Sequence, residues 1–346
     1  MPVKMKILFT AHVEHYTLGL SRELIKHTDM CILSTQRFNI PCKHIILPNI
    51  PKLRGLYRKL ALRISPTFFD IVHANNSLDG SSVSQTDKLI VTEHGYPDPK
   101  FAPEAPRYYT KERDALIRLY KAAVPIITIS NYSAFMLRKK LGVKVRKVIY
   151  HGLLDEFRSD KPKELAKNST PIILWVSRLI PTKEPIVLLK ALCYLSTKLD
   201  FRAVLRGSGP LRRDMEKFIK KHKLTSRITF LNRIPFQALS NLYKSASILV
   251  HTSSYEPFGL CVLEGMGAGL PVIVPKSGGA YEVAGPAAVS FIPHNPKDLS
   301  EKIISLLSDP DLYHKQSRKS LERSRFFTWQ KAAKEYLTVY KKIACC

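Results

Sequence analysis

The sequence predicts an α/β protein with two doubly wound parallel sheets, one after the other along its 346 residues. Short apolar runs rich in β-branched residues alternate with longer amphipathic segments, as strands and helices do in a parallel-sheet protein. The alternation breaks at residues 161–170, a polar stretch that contains proline (KPKELAKNST), and restarts at Pro171. A polar break between two such patterns is typical of a domain linker.

The predicted domains are 1–160 and 171–325, with 161–170 as the linker between them. Predicted strands of the first domain begin near Lys6, Phe69, Lys88, Ile126 and Val145. Those of the second are 172–176, 201–205, 227–231, 248–251 and 271–274. The end of the chain reads as successive helices, and the helix within 326–346 has one apolar face, so it is expected to pack on a domain.

Composition limits the classes of partner. Lys and Arg number 55 against 28 Asp and Glu, so the formal net charge is +27. A chain this basic is expected to meet anionic partners: nucleic acid, an anionic membrane surface or phosphorylated substrates. The six cysteines form no CxxC pair, which is typical of free thiols in a reducing compartment. No signal peptide or membrane-length apolar stretch is evident, so we expect a cytoplasmic protein whose membrane contact, if any, is peripheral.

The segment from His251 to Pro271 carries the strongest chemical signal. It follows a predicted strand and enters a helix near Gly259, so it belongs at the carboxyl edge of a parallel sheet, where ligands bind. The first N–H groups of a helix attract phosphate, and a glycine allows close approach. Glu264, inside the helix, suits a ribose diol, whereas Glu256, on the loop, suits the sugar end of a diphosphate. The pattern predicts a nucleotide-sugar site.

Two cations follow the first strand of the second domain, Arg178 and Lys183. A nucleoside diphosphate needs cationic partners, and no acidic cluster suitable for Mg²⁺ is present, so we assign both side chains to the phosphates and expect no metal. Gly207 and the Ser277–Gly279 turn also follow strands. Their glycines could admit a ligand. An ordinary turn is an equally good explanation for Ser277–Gly279 and the better explanation for Gly207, which we still include among the candidate donor residues.

These residues resemble a known family. Glu256 and Glu264 within EPFGLCVLEGMGAGLPVI resemble the donor motif of retaining GT-B-fold glycosyltransferases, especially glycosyltransferase family 4. The segments WVSRLIPTKEP, LRGSGPLRRDME and RITFLNRI are similar to family segments in the same order, and VTEHGYP and VIYHGLLDEF are similar in the first half. The sequence departs from the family at Ser177, where glycine is usual, and in the first loop, which has one glycine (Gly19) instead of a pair.

The resemblance implies two Rossmann-like domains across a cleft, with the acceptor mainly on the first domain and the donor on the second. It implies that the last helix packs back on the first domain, and that no metal or cofactor is needed. The co-substrate would be a UDP-, GDP- or ADP-sugar. By position, Arg178 and Lys183 would bind the diphosphate with the N–H groups of Phe258, Gly259 and Leu260, and Glu264 would bind the ribose. Arg233 and Ile234 would border the base, and His94 would face the sugar.

The expected reaction transfers the sugar to an acceptor hydroxyl, with catalytic roles for Glu256, His94, Arg178 and Lys183. No carboxylate is an obvious nucleophile, which favours front-side attack. His12, His15 and His73 are weaker candidates, for which packing or surface roles are equally good explanations. The acceptor could be a glycan, a lipid or a polyprenyl phosphate.

A basic amphipathic segment lies at Lys52 to Arg63, where cations alternate with leucines. It fits either an interfacial helix on an anionic membrane or a normal surface helix that packs on its sheet. Four other functions remain open: a nucleotide-sugar epimerase or a phosphorylase on the same fold, and a nucleic-acid-binding or nucleotide-sugar-binding protein without transfer activity. The ordered donor motif argues against nucleic acid as a partner.

Overall fold

The computed structural model describes residues 4–11, 14–48, 54–83, 87–96, 105–166 and 169–344. The chain forms two compact units. The first comprises Met1–Gly152 and Thr328–Cys346, and the second comprises Leu153–Phe327. The chain therefore leaves the first unit once and returns to it for the last helix.

The predicted linker at 161–170 lies within the second unit, and its residues 167 and 168 lie outside the described part. The backbone N–H of Lys163 donates to Ser317 Oγ at 2.6 Å, and its ammonium donates to the Ala246 carbonyl at 2.8 Å. These hydrogen bonds attach Lys163 to the second unit, although the sequence predicted that this segment is a linker that precedes the second domain.

The first unit is a seven-stranded parallel sheet in the order β3-β2-β1-β4-β5-β6-β7. Its strands are β1 (Lys6–Thr10), β2 (Asp29–Ser34), β3 (Lys43–Ile46), β4 (Ile71–Ala74), β5 (Leu89–Glu93), β6 (Ile126–Thr128) and β7 (Lys147–Val148). Its helices are α1 (Glu14–Leu24), α2 (Arg54–Ile64), α3 (Ser77–Gly80), α4 (Pro106–Lys121), α5 (Asn131–Leu141) and, from the end of the chain, α13 (Trp329–Ala344).

The second unit is a six-stranded parallel sheet in the order β10-β9-β8-β11-β12-β13. Its strands are β8 (Ile172–Val176), β9 (Arg202–Arg206), β10 (Ile228–Leu231), β11 (Ile248–Val250), β12 (Val272–Pro275) and β13 (Ala288–Phe291). Its helices are α6 (Pro185–Leu195), α7 (Arg212–Lys221), α8 (Phe236–Ser245), α9 (Leu260–Gly267), α10 (Gly278–Ala284), α11 (Pro296–Ser308) and α12 (Pro310–Ser324).

The predicted fold class is confirmed: both units are Rossmann-like parallel α/β sheets. The central strands are buried almost end to end, because helices cover both faces of a parallel sheet. Strand β13 was not predicted, since its four residues (AVSF) follow a Gly-Pro turn and contain few large apolar side chains. The glycines at 278 and 279 begin helix α10, where the sequence had indicated only a turn.

A buried polar network joins α13 to the sheet of the first unit. The two imidazole nitrogens of His73 lie 2.7 Å from the Tyr340 hydroxyl and the Thr92 hydroxyl. Thr92 also lies 3.0 Å from the hydroxyl of Tyr336, to which Tyr16 donates at 3.3 Å. Burial lowers the pKa of the His73 imidazole to about 3, so the ring is neutral at pH 7. His73 therefore serves the core of this unit.

Two buried carboxyl groups lie near the carboxyl end of β5. Ser77 Oγ donates to Glu93 at 2.5 Å, and the Tyr108 hydroxyl donates to Glu112 at 3.4 Å. Burial raises the pKa of the Glu112 carboxyl to about 7. Burial and the neighbouring Glu112 raise the pKa of Glu93 as well. Both groups thus favour the protonated form in the folded protein.

The substitution Glu112→Gln should raise the free energy of unfolding more at pH 8 than at pH 5. A carboxyl with a raised folded pKa contributes stability below its unfolded pKa, and that stability is lost as the pH rises through about 7. Glutamine stays neutral, so the gain at pH 8 should reach at most about 3 kcal/mol. Urea unfolding at both pH values measures it, with Glu301→Gln on the exposed side of α11 as the control. An equal effect of Glu112→Gln at both pH values would contradict the prediction.

Candidate functional site

The strand order of the second sheet reverses between β8 and β11. Strands β9 and β10 lie on one side of β8, and β12 and β13 lie beyond β11. The loops that follow β8 and β11 therefore diverge at the carboxyl edge of the sheet and leave a crevice, which is where ligands bind in open α/β sheets. These two loops carry Arg178 and Lys183 on one side and the 251–259 segment on the other.

The start of α9 is built on Gly259. This residue has φ 93°, a left-handed conformation that favours glycine, and an added Cβ would lie 2.9 Å from the Cβ of Ala280. Phe258 is buried, with its ring centroid 6.0 Å from that of Phe327. Only the backbone of Phe258 is thus suited to a ligand. The first N–H groups of α9 have no acceptor within the helix and give this end a partial positive charge.

The loop before α9 is supported by the glycines that begin α10. A Cβ on Gly279 would lie 2.1 Å from the Pro257 carbonyl oxygen, and the Gly279 N–H donates to the Glu256 carbonyl at 2.6 Å. Ser277 Oγ donates to the Ser254 carbonyl at 3.1 Å. The Ser277–Gly279 segment therefore fixes the backbone that carries Glu256.

An ion pair joins the two loops. The Lys183 ammonium donates to Glu256 Oε2 at 2.6 Å, and the two side chains are only 14% and 15% exposed. Burial raises the pKa of the Glu256 carboxyl, but Lys183, His251 and Arg178 outweigh burial and hold that pKa below its usual value. Glu256 is therefore ionised at neutral pH. The sequence assigned Lys183 to the diphosphate and Glu256 to the sugar, and the structure brings the two side chains into contact.

His251 lies on the other side of Glu256. Its Nε2 is 3.4 Å from Glu256 Oε2, and its Nδ1 is 3.5 Å from Cys261 Sγ. Burial lowers the pKa of the His251 imidazole to about 4, and Lys183 acts in the same direction. The ring is thus neutral beside the carboxylate, and it is one of the side chains that surround Glu256.

Hydrogen bonds fasten the Lys183 turn to the end of β11. The indole N–H of Trp175 donates to the Thr252 hydroxyl at 3.0 Å, and that hydroxyl donates to the Lys183 carbonyl at 2.7 Å. Ser253 Oγ donates to the Thr182 carbonyl, also at 2.7 Å. The backbone on which the Lys183 side chain is carried is therefore fixed relative to the strand that leads to Glu256.

Glu264 is the fifth residue of α9 and is 7% exposed. The Tyr243 hydroxyl donates to Glu264 Oε2 at 2.7 Å. Burial and the Glu264 charge raise the pKa of the Tyr243 phenol, which remains a donor. A buried carboxylate held this way has a fixed orientation, and its assignment to a ribose stays a prediction.

The other predicted donor residues lie on loops of the same edge. Arg178 is exposed in the loop after β8, and its charge contributes to lowering the pKa of Glu256. Arg233, exposed, and Ile234, half-buried, lie between β10 and α8. Their proposed contact with the base stays a prediction.

Gly207 follows β9, where its conformation serves the packing of two turns. A Cβ at this position would lie 1.8 Å from the Ser177 carbonyl oxygen, in the turn after β8. No larger residue fits without moving that turn. This contact explains the glycine without a ligand.

His94 belongs to the first unit, where it follows β5. Its ring lies edge-on to Tyr16, with centroids 4.6 Å apart, and stacks on His151 at 5.3 Å. His15 is in the same unit, with Nε2 3.2 Å from the Gly152 carbonyl oxygen. His12 lies outside the described residues. The predicted role of His94 beside the sugar stays a prediction.

Three contributors were not identified from the sequence: His251, Thr252 and Tyr243. His251 and Thr252 stand at a strand end, which is a usable signal. Tyr243 lies in a helix with an apolar face, where it looks like a core residue, and no spacing relates it to Glu264. Within the described residues there is no group of three or more His, Cys, Asp or Glu that could hold a metal ion.

Residues 156–323 match the family model described as Glycosyl transferases group 1. An uncharacterized glycosyltransferase of Methanocaldococcus jannaschii is 30% identical over 223 residues, which cover 63% of this chain and 60% of the relative. A second uncharacterized glycosyltransferase of the same organism matches over 44% of its length, and spore coat protein SA of Bacillus subtilis matches over 52% of its length.

Solved structures share the fold over nearly the whole chain. Sucrose-phosphate synthase from Thermosynechococcus elongatus has a TM-score of 0.79 at 22% identity, over 98% of this chain and 99% of that one. HepE of Anabaena, solved in complex with UDP-glucose, has a TM-score of 0.77 at 17% identity, over 98% and 100% of the two chains. The fold class is that of GT-B glycosyltransferases, as predicted.

The Lys183–Glu256 pair should show strong energetic coupling. Removing one partner of a largely buried pair leaves the other charge uncompensated, so Lys183→Ala and Glu256→Ala should each destabilise the second unit by about 3 kcal/mol. The double variant should lose less than the sum, because neither charge is then left alone. Urea unfolding of the three variants measures the coupling.

The exposed Arg318–Glu322 pair on α12 is the matched control, with a coupling expected below about 1 kcal/mol. If the losses at Lys183 and Glu256 simply add, the pair does not hold the two loops together.

Proposed function

We propose that the protein is a retaining, metal-independent glycosyltransferase of family 4, which moves a sugar from a nucleoside-diphosphate sugar to an acceptor hydroxyl. The observation that carries the proposal is the Lys183–Glu256 pair beside the start of α9, at the point where the strand order reverses. The match of residues 156–323 to Glycosyl transferases group 1 supports the same reaction class.

We propose that the diphosphate lies between the α9 start and the two cations. A nucleoside diphosphate carries about two negative charges, and helix N–H groups, Arg178 and Lys183 are suitable donors to its oxygens. Lys183 would then serve both the phosphate and Glu256, whose ionised carboxylate would accept hydroxyl groups of the sugar. The leaving diphosphate gains charge in the transition state, so these fixed donors would lower the barrier.

We assign the nucleoside to the outer loops of the same edge. The Glu264 carboxylate would accept the two ribose hydroxyls, with Tyr243 holding its orientation. Arg233 and Ile234 would border the base, and Gly207 would lie beside the nucleotide sugar. UDP, GDP and ADP are all candidates, and the UDP-glucose complex of HepE makes UDP the first to test.

The proposed step is a front-side displacement at the anomeric carbon. The acceptor oxygen forms a bond to that carbon while the bond to the diphosphate oxygen breaks, and the leaving oxygen takes the acceptor proton. His94 would stand beside the sugar. The first domain (1–160), with the helix in 326–346, would bind the acceptor.

We propose a cytoplasmic reaction on a glycan, lipid or polyprenyl-phosphate acceptor. No described helix is long and apolar enough to cross a membrane. Thermal-shift measurements with UDP, GDP and ADP, then with their sugars, identify the donor. Product analysis with the matching labelled sugar then separates transfer from epimerisation, phosphorolysis and simple binding.

Arg178→Ala should lower kcat/KM by about 100-fold, because one cation aimed at the leaving phosphate is lost. The thermal unfolding of the variant, measured beside that of the wild type, checks that the protein is folded. Lys183→Ala should weaken donor binding further, and the double variant should abolish transfer. Lys190→Ala, an exposed cation on α6, is the control. Full transfer by a folded double variant would exclude the phosphate assignment.

His94→Ala should reduce kcat while leaving the affinity for the nucleoside diphosphate within about twofold, since the nucleotide contacts proposed above are all made by residues of the second unit. Initial rates and a separate titration with UDP measure the two effects. A weaker UDP affinity with unchanged kcat would show that His94 has a different role.

A further inference from the structure

Helix α2 has two apolar faces. Leu62 is fully buried on one of them, and Tyr57 and Ala61 pack beside it against the core of the first unit. Leu56 and Leu60, on the other face, are 62% and 57% exposed. A helix that only packs on its sheet has polar residues on its outer face, so the ordinary packing role does not account for these leucines.

The outer apolar row continues past the end of the helix. Ile64 is 51% exposed, and Phe68, which follows the short 3-10 helix Ser65–Thr67, is 65% exposed. Leu56, Leu60 and Ile64 are spaced four residues apart, which places them in one row along the helix. We call Leu56, Leu60, Ile64 and Phe68 the exposed ridge.

Cations flank this ridge. Lys59 and Arg63 are exposed and lie on the same side of α2. The helix contains no acidic residue. Arg58, in contrast, turns inward and donates both of its hydrogen bonds to Asp79. The charges that α2 itself places beside the ridge are therefore positive.

We propose that the exposed ridge docks on the surface of an anionic lipid bilayer. A helix that lies in the interface buries leucine and phenylalanine at the acyl boundary, while Lys and Arg stay beside the headgroup phosphates. The net charge of +27 attracts the whole chain to such a surface. A second copy of the chain is a poor occupant, because two equally positive faces repel each other.

The charge and the apolar row act together on a bilayer. Cations alone would bind an anionic surface loosely, and one apolar row alone would bind neutral lipid weakly. The described helices include none that could cross the membrane, so the contact would be peripheral. Lys52 and Leu53, which the sequence included in this segment, lie outside the described residues.

Sedimentation with vesicles tests the proposal. Wild-type protein should sediment with phosphatidylcholine vesicles that contain phosphatidylglycerol, and much less with phosphatidylcholine alone. Binding should weaken as salt rises. Equal binding to both vesicles, or none to either, would overturn the proposal.

Variants separate the two parts of the surface. Leu60→Gln with Ile64→Gln should lower the partition onto anionic vesicles at least about tenfold. Lys59→Gln with Arg63→Gln should lower it about fivefold for each cation removed. The controls are Ile292→Gln, which is 60% exposed in the second unit, and Lys220→Gln with Lys221→Gln, which makes the same change in net charge.

The double ridge variant should keep the wild-type circular dichroism spectrum and unfolding temperature, since both side chains are exposed. Unchanged vesicle binding by that folded variant would overturn the proposal. So would lipid-free dimerisation that the variant abolishes, because the ridge would then serve a second copy. No nucleotide sugar is needed in the assay, so this outcome is independent of the proposed transfer reaction.

Discussion

The ion pair between Lys183 and Glu256 is the interaction on which the second unit's functional edge depends. It joins the loops after β8 and β11, the two strands between which the chain order reverses. Trp175 and Thr252 fix the backbone on one side, and the glycines of α10 fix it on the other. A carboxylate kept ionised by its neighbours, next to a helix start, gives a preorganised site in which both signs of charge are available to one ligand.

The sequence predicted the sheet architecture because the strands are apolar runs and the helices are amphipathic. It also placed Glu256, Glu264, Arg178 and Lys183 at one sheet edge, since parallel strands present their carboxyl ends together. It could not predict that Lys183 contacts Glu256 or that Tyr243 holds Glu264. These contacts join residues far apart in the chain through side-chain orientation, which periodicity does not encode. Strand β13 was missed because its short sequence depends on pairing with β12.

The buried titratable groups of the first unit favour their neutral forms, whereas Glu256 in the second unit is ionised. His73 is neutral within a network of hydroxyl groups, and burial raises the pKa of Glu93 and Glu112. The two kinds of group respond in opposite directions: acid disfavours the buried imidazole, and base disfavours the buried carboxyls. The first unit should therefore be most stable against unfolding near neutral pH, although its surface is strongly basic.

The return of the chain to the first unit bears on how the protein is made. The second unit is one continuous stretch, so all of its strands have been synthesised before the ribosome reaches α13. The first sheet is synthesised earlier, but the tyrosines that pair with His73 and Thr92 lie on that last helix. The first sheet therefore cannot complete the hydrogen bonds of its buried His73 and Thr92 until helix α13 has been synthesised. A nascent chain that stalls within the second unit would expose this incomplete first sheet to chaperones and proteases.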